Sequence, residues 1–332
     1  LYWVLTWLCH RKCEHCYEDR FHPYYGEDLT RVVTQSKSNF APIIANLPSR
    51  LTYRDSQGLE QPASLILAGG EVLLDPIREP VLYPTIQLLR QRYAAQGGIK
   101  IIVQTTGDLV TPKIIAELRD LGVWMISISG LDEFHDGISP AALRAKLTSH
   151  FEAAGLSLFE LIADRTRRAS GSGPFYQFFG ATPDVWIGKL WPRGRAFQNS
   201  LGTATLADNF CAQWSGGKHF LELGRPGAEV SIEPTGDVYP CCLKTKKPVG
   251  NLLQEPLEQI LFRARQSPIY QAINQGRPEL MGLAHGWSEE MFLAKSRTTL
   301  PDGRPYENLC IGCDRFHEEV LLPPSLITLS PL

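Results

Sequence analysis

The chain has 332 residues, 43% of them hydrophobic, with 33 basic side chains against 35 acidic ones. That length and apolar content suffice to bury a large core and imply one large domain plus a smaller one, while the near-neutral balance gives no electrostatic case for nucleic acid or an anionic membrane. No uninterrupted apolar run reaches the ~18 residues of a membrane span and the first residues lack a secretory-signal pattern, so a cytoplasmic protein is expected.

The chain opens on an apolar run, 2–8, that ends in Leu8-Cys9-His10-Arg11-Lys12-Cys13-Glu14-His15-Cys16-Tyr17. Cys9, Cys13 and Cys16 stand among charged and imidazole side chains, a poor composition for a core and a good one for a ligand-facing loop. Three thiolates on one short loop grip three corners of a 4Fe-4S cube and leave one iron open. On these residues alone a rival remains: Cys13 and Cys16 with Cys310 and Cys313 would make a four-thiolate zinc site, leaving Cys9 idle and implying a zinc-stabilised binding or scaffold protein.

Further β-branched and apolar runs follow at 64–68, 99–104, 123–129, 157–163 and 184–190, giving six short strands. Between them 29–46, 79–95, 111–121 and 140–154 have the length and apolar spacing of helices, and Thr111-Pro112 is a good cap and first-turn pair. The segment 164–182 is Gly-, Ser- and Arg-rich and carries only a weak signal. Strand and helix alternating in this way imply a parallel sheet with right-handed crossovers, either open or curled into a partial barrel, in an α/β domain over 1–200. Loops at the strands' C-terminal ends then build the active site. The cysteine loop follows the first strand, and Gly69-Gly70-Glu71 follows the second, with glycines that let backbone approach a ligand and a carboxylate suited to a cation.

After about residue 200 the pattern changes. Cys211 precedes alternating runs at 219–223 and 228–232, and Thr235-Gly236-Asp237 reads as a hairpin turn before Cys241 and Cys242. An amphipathic stretch at 256–275, interrupted by Pro268, and a long return over 277–308 lead to Cys310-x-x-Cys313. All eight cysteines fall in two end groups, three and five, with none between 17 and 210, which favours metal ligation over disulfides.

Cys9, Cys13 and Cys16 after the first strand, with Gly69-Gly70-Glu71 after the second, resemble the radical S-adenosylmethionine superfamily over about residues 1–196. The resemblance implies a partial (β/α)6 barrel of TIM type, a 4Fe-4S cluster on the three cysteines, and S-adenosylmethionine chelated to the open iron by its amine and carboxylate. It gives Gly69, Gly70 and Glu71 the cofactor's ammonium group, although Val72 replaces the usual proline. Reductive cleavage would yield a 5'-deoxyadenosyl radical that abstracts hydrogen from a substrate C–H bond. Thr105, Ser127 and Ser129 are candidates for ribose and carboxylate contacts, or ordinary strand-end hydrogen-bonding groups. Arg195, in a Gly-Arg-Ala resembling that of family members with an extra cluster, is positioned to fork onto a cofactor or substrate carboxylate, or is a plain surface arginine. Asp132, Glu133 and His135 also resemble a family stretch without an assigned role.

Residues 201–332 resemble the SPASM extension in its shortened Twitch form, a small α+β unit in which Cys211, Cys241, Cys310 and Cys313 would hold an auxiliary 4Fe-4S cluster. Two clusters then use seven of the eight cysteines, and Cys242 is a spare thiol: buried, a substitute ligand, or a hydrogen donor. Enzymes of this kind act on peptides or on small molecules; a peptide or protein substrate is expected here, with a small-molecule dehydrogenase as the alternative. No flavin or ferredoxin motif of its own is present, so a flavodoxin or ferredoxin is expected as electron donor.

Overall fold

Near-continuous apolar strands need cover on both faces, which a parallel sheet with crossover helices supplies. A computed structural model, describing residues 1–129, 134–135, 140–161, 167–169, 173–178, 190–213 and 216–322, has this arrangement. Tyr2–Val4, Ser64–Ala68, Lys100–Thr105 and Met125–Ile128 lie side by side and parallel, with Tyr2 opposite Ile66, Ser64 opposite Lys100 and Ile102 opposite Met125. Ser157–Leu161 belongs to the same sheet, but Phe175–Phe178 stands between it and Met125–Ile128. That inserted strand lies in the segment with the weak sequence signal. The sixth expected strand, 184–190, falls outside the described residues except for Leu190.

Side-chain alternation along these strands divides the interior in two. Leu65, Leu67, Ile101, Val103, Ile126 and Ile128 face the helices Gly26–Ala45, Tyr83–Tyr93, Pro112–Asp120 and Pro140–Ala153 in one apolar layer. Their neighbours Ile66, Ala68, Ile102 and Met125 point the other way, into a second cluster that contains Cys9, Cys242 and Cys310. This is the partial barrel: helices outside, cysteine-bearing segments against the inner face. Thr111 caps its helix as expected, its hydroxyl accepting from the Ile114 N–H at 3.2 Å.

The C-terminal part extends the same sheet. Ser231–Ile232 pairs in parallel with Tyr2 and Trp3, then antiparallel with Asp237–Tyr239 through a turn where Gly236 has φ +81°. The run at 219–223 is not a strand. The stretch 256–275 divides into Leu257–Ala264 and Pro268–Asn274, because proline disfavours helix at the residue before it and Ser267 is extended. The long return carries the helix Glu289–Lys295 and a hairpin, Arg297–Thr299 with Pro305–Glu307, before the helix Leu309–Phe316. Among the described residues no helix is long and apolar enough to cross a membrane.

Candidate metal centres

The first cysteine loop is held from three sides. Cys9 N–H donates to the His22 carbonyl at 3.1 Å, closing the loop on itself. From the second strand, Gly70 N–H donates to the Thr6 carbonyl at 3.0 Å and Glu71 N–H to the Leu8 carbonyl at 2.8 Å. The approach is too close for any side chain: a Cβ on Gly70 would lie 2.4 Å from the Leu8 carbonyl oxygen, and one on Gly69 2.8 Å from that of Thr6. From beneath comes Arg195, 7% exposed, whose Nε donates to the Cys13 carbonyl at 2.9 Å, Nη1 to that of Asp19 at 3.1 Å and Nη2 to that of Phe21 at 2.7 Å. Neither a fork onto a carboxylate nor a surface position describes this arginine. Its planar set of donors matches three backbone carbonyls, and it braces the loop.

Glu71 departs from expectation in the same way. Its buried carboxylate is occupied by the Thr105 hydroxyl, shared at 2.8 and 2.9 Å, the Thr106 N–H at 2.9 Å and hydroxyl at 2.8 Å, and the Leu73 N–H at 2.9 Å. It pins the third strand's end to the second, which leaves the turn's backbone, rather than its carboxylate, to meet a cation. Thr105 is thereby committed; Ser127 accepts from Gln177 at 2.8 Å, and the Ser129 hydroxyl donates to the Thr105 carbonyl at 3.3 Å. All three hydroxyls have protein partners at the strand ends.

Burial pushes the bare Cys9 thiol up to about 12 and that of Cys16 to about 11. Ligation therefore has to displace protons, as metal binding to thiols does. At the rim, His10 Nε2 and Arg11 Nη2 reach Asp108 at 2.8 and 2.6 Å. Burial opposes the Asp108 charge, yet hydrogen bonds from His10 and Arg11, with the one Thr106 hydroxyl proton shared between Asp108 and Glu71, hold its carboxyl well below the usual range. No sequence spacing joins residues 10 and 108, so this contact was not legible in the chain. His15 packs its ring against His135 at 4.7 Å and Phe134 at 5.5 Å, while Asp132 and Glu133 lie outside the described residues.

Four of the other five cysteines make up the expected second set. Cys211 is pushed well up by burial and further by Cys241, Cys310 and Cys313, so the four sulfurs share one low-dielectric volume. Cys310 and Cys313 sit one turn apart on Leu309–Phe316, whose first turn is capped by Asn308 accepting from the Cys310 N–H at 2.9 Å. Cys242 lies close to the same set: burial pushes its thiol well up and Cys241 and Cys310 push it further, with Tyr2 and Tyr17 of the inner core also beside it. Among the described residues no three potential ligands already surround a single point as a lone ion requires. A cube is gripped at separate corners, and two all-thiol sets of three and four fit that chemistry.

A buried ionic lattice, also unforeseen, joins the two centres. Lys244 Nζ meets Glu18 and, at 2.5 Å, Glu233; Arg20 spans Glu18 at 2.7 Å and Glu233 at 3.1 Å; and Trp7 Nε1 donates to Glu233 at 2.6 Å. Glu18 and Arg20 follow the first cysteine loop, and Lys244 follows Cys241 and Cys242.

Comparison with known proteins gives the following. Residues 224–285 match the SPASM family, an iron-sulfur cluster-binding domain. An AdoMet-dependent heme synthase from Methanosarcina barkeri is 28% identical over 127 residues, 38% of this chain and 29% of that protein. The match therefore spans under a third of that relative's length. Two solved structures resemble the chain at a TM-score of 0.43: BtrN in complex with AdoMet and 2-DOIA, 12% identical over 83% of this chain and 86% of that one, and a histidine-tagged anSMEcpe with bound AdoMet, 14% identical over 97% and 93%.

Proposed function

We propose that this chain, a radical S-adenosylmethionine protein with a SPASM iron-sulfur extension, is an oxidoreductase or maturase that takes a hydrogen atom from a C–H bond of a peptide or protein substrate. The observation that supports the reading is the packing of Gly69-Gly70 against the Cys9–Cys16 loop, which holds three thiols at the strand ends beside a backbone turn. A reduced cluster with one open iron supplies the electron that splits the carbon-sulfur bond of S-adenosylmethionine. The chain's own residues orient that event. Cys9, Cys13 and Cys16 hold the cluster, Arg195 and Glu71 fix the loop and the turn around it, and the Gly69-Gly70 backbone receives the cofactor's ammonium group. Cys211, Cys241, Cys310 and Cys313 would hold the second cluster, which would serve as an electron acceptor or a substrate anchor.

A peptide is preferred because 277–308 adds a helix and a hairpin packed beside the Cys310 helix. Anaerobically reconstituted protein, reduced by flavodoxin or dithionite, is expected to bind iron and sulfide and to cleave S-adenosylmethionine, with cleavage lost in Cys13→Ala. Colourless protein carrying only zinc would refute the reading. Mass spectrometry of peptide substrates after turnover, showing loss of two hydrogens or a crosslink, supports the peptide; turnover of small molecules alone assigns a dehydrogenase of that class.

A further inference from the structure

Arg193 and Tyr306 both border the second centre and both keep a polar group unused. Arg193 donates through Nη1 to the carbonyls of Leu243 and Lys244, just after Cys241 and Cys242, and through Nη2 to Asp314, which follows Cys313, at 2.5 Å. Asp314 is its ion-pair partner, and a guanidinium stays charged throughout the working pH range. Its Nε–H is buried and has no partner among the described residues. Tyr306 is four residues before Cys310, on the strand Pro305–Glu307 that leads through the cap Asn308 into the helix Leu309–Phe316. Its hydroxyl, packed about 3.4 Å from where a Cβ on Gly202 would stand, is likewise buried and unpartnered among the described residues. A buried donor without an acceptor is disfavoured, so two of them on the border of one thiol set call for an acceptor there.

We infer that Arg193 and Tyr306 set the reduction potential of the group held by Cys211, Cys241, Cys310 and Cys313, donating the Arg193 Nε–H and the Tyr306 O–H toward its sulfurs, with Asp314 as the opposing charge. The inference rests on the proposed cluster at those cysteines. Reduction adds one negative charge to an already anionic cluster, so a fixed cation and hydrogen-bond donors favour the reduced form and raise the potential, while a carboxylate lowers it. Arg193 and Tyr306 are positioning residues in this sense; they hold no iron.

The test is a dithionite redox titration of the anaerobically reconstituted full chain, followed by electron paramagnetic resonance, with iron and sulfide counted first. The signal of the second centre is the one lost in Cys313→Ala; retention of all iron in that variant would sink the cluster assignment itself, separately from the inference. Tyr306→Phe, which removes only an unpartnered hydroxyl, and Arg193→Gln are each expected to lower the potential by a tenfold or greater change in the reduction equilibrium, about 59 mV for one electron. Asp314→Asn is expected to raise it, and Arg193→Lys to stay nearer wild type than Arg193→Gln. Fully loaded Tyr306→Phe and Arg193→Gln at the wild-type potential would overturn the inference, as would Asp314→Asn shifting in the same direction as the other two. Should Arg193→Gln fail to load iron, the opposite signs of Tyr306→Phe and Asp314→Asn decide alone.

Discussion

At Gly70 two backbones meet with no space between them, and the three-cysteine loop inherits its position from that contact. A methyl group there has to move the Leu8 carbonyl or its own turn, an overpacking that costs about 1–3 kcal/mol and misplaces the loop. Gly70→Ala is therefore expected to lower the melting temperature and to reduce S-adenosylmethionine cleavage about 100-fold or more, since displacement near 1 Å has that effect on oriented reactants. Arg195→Met should act on the same loop by another route. Three carbonyls lose a charged donor, at about 1–3 kcal/mol each for those left buried, and iron at the first centre should fall while the second centre keeps its own. His317 offers a pH handle. Burial lowers its pKa to about 4, helped by Arg193 and Lys247, and its Nδ1 accepts from the Lys247 N–H at 3.3 Å. The unfolded chain takes up the proton first, so this stability is present above pH ~6.5 and is lost as pH falls from there toward 4. Urea unfolding at pH 7 and pH 5 should show a smaller loss for His317→Gln than for wild type.

The short helix Gly194–Gln198 links the centres at the scale of one element. Arg193 at its N-cap reaches the four-cysteine group, and Arg195, two residues on, reaches the three-cysteine loop. Gly194 permits both: its φ is +58°, and a Cβ would lie 2.4 Å from the Tyr17 carbonyl carbon and 2.7 Å from the Cys16 carbonyl oxygen. Gly194→Ala combines left-handed strain with a backbone clash, and iron content is expected to fall at both centres together, whereas Arg195→Met affects one. The arginine was visible in the sequence as a Gly-Arg-Ala, but its partners were not. Backbone carbonyls carry no residue code, so nothing in the chain distinguishes an arginine aimed at a cofactor from one aimed at residues 13, 19 and 21.

Across the whole molecule the halves are one structure, since Ser231–Ile232 continues the sheet from Tyr2–Val4 and Lys244 closes a buried ionic lattice with Glu18 and Glu233. Removing one partner of such a lattice strands the others, at about 3–5 kcal/mol. Lys244→Ala is expected to destabilise by that amount and to keep a single urea transition; two resolved transitions would show that the halves unfold independently. The cysteine spacing, five of the parallel strands and their helices were legible in the chain alone, because apolar patterning is a local property, whereas Phe175–Phe178 was missed and the run at 219–223 is not a strand. The fine assignment of polar groups was not legible. Glu71, Thr105, Ser127, Ser129 and Arg195 all had the chemistry of cofactor contacts, and the protein partners the fold gives each were not readable. Asp108 against His10, and the lattice around Lys244, depend on separations of 98 and 226 residues. Only closure of the sheet brings such pairs within hydrogen-bonding distance, and so only the fold selects which polar groups brace the site and which, like Arg193 Nε and the Tyr306 hydroxyl, are left for what it holds.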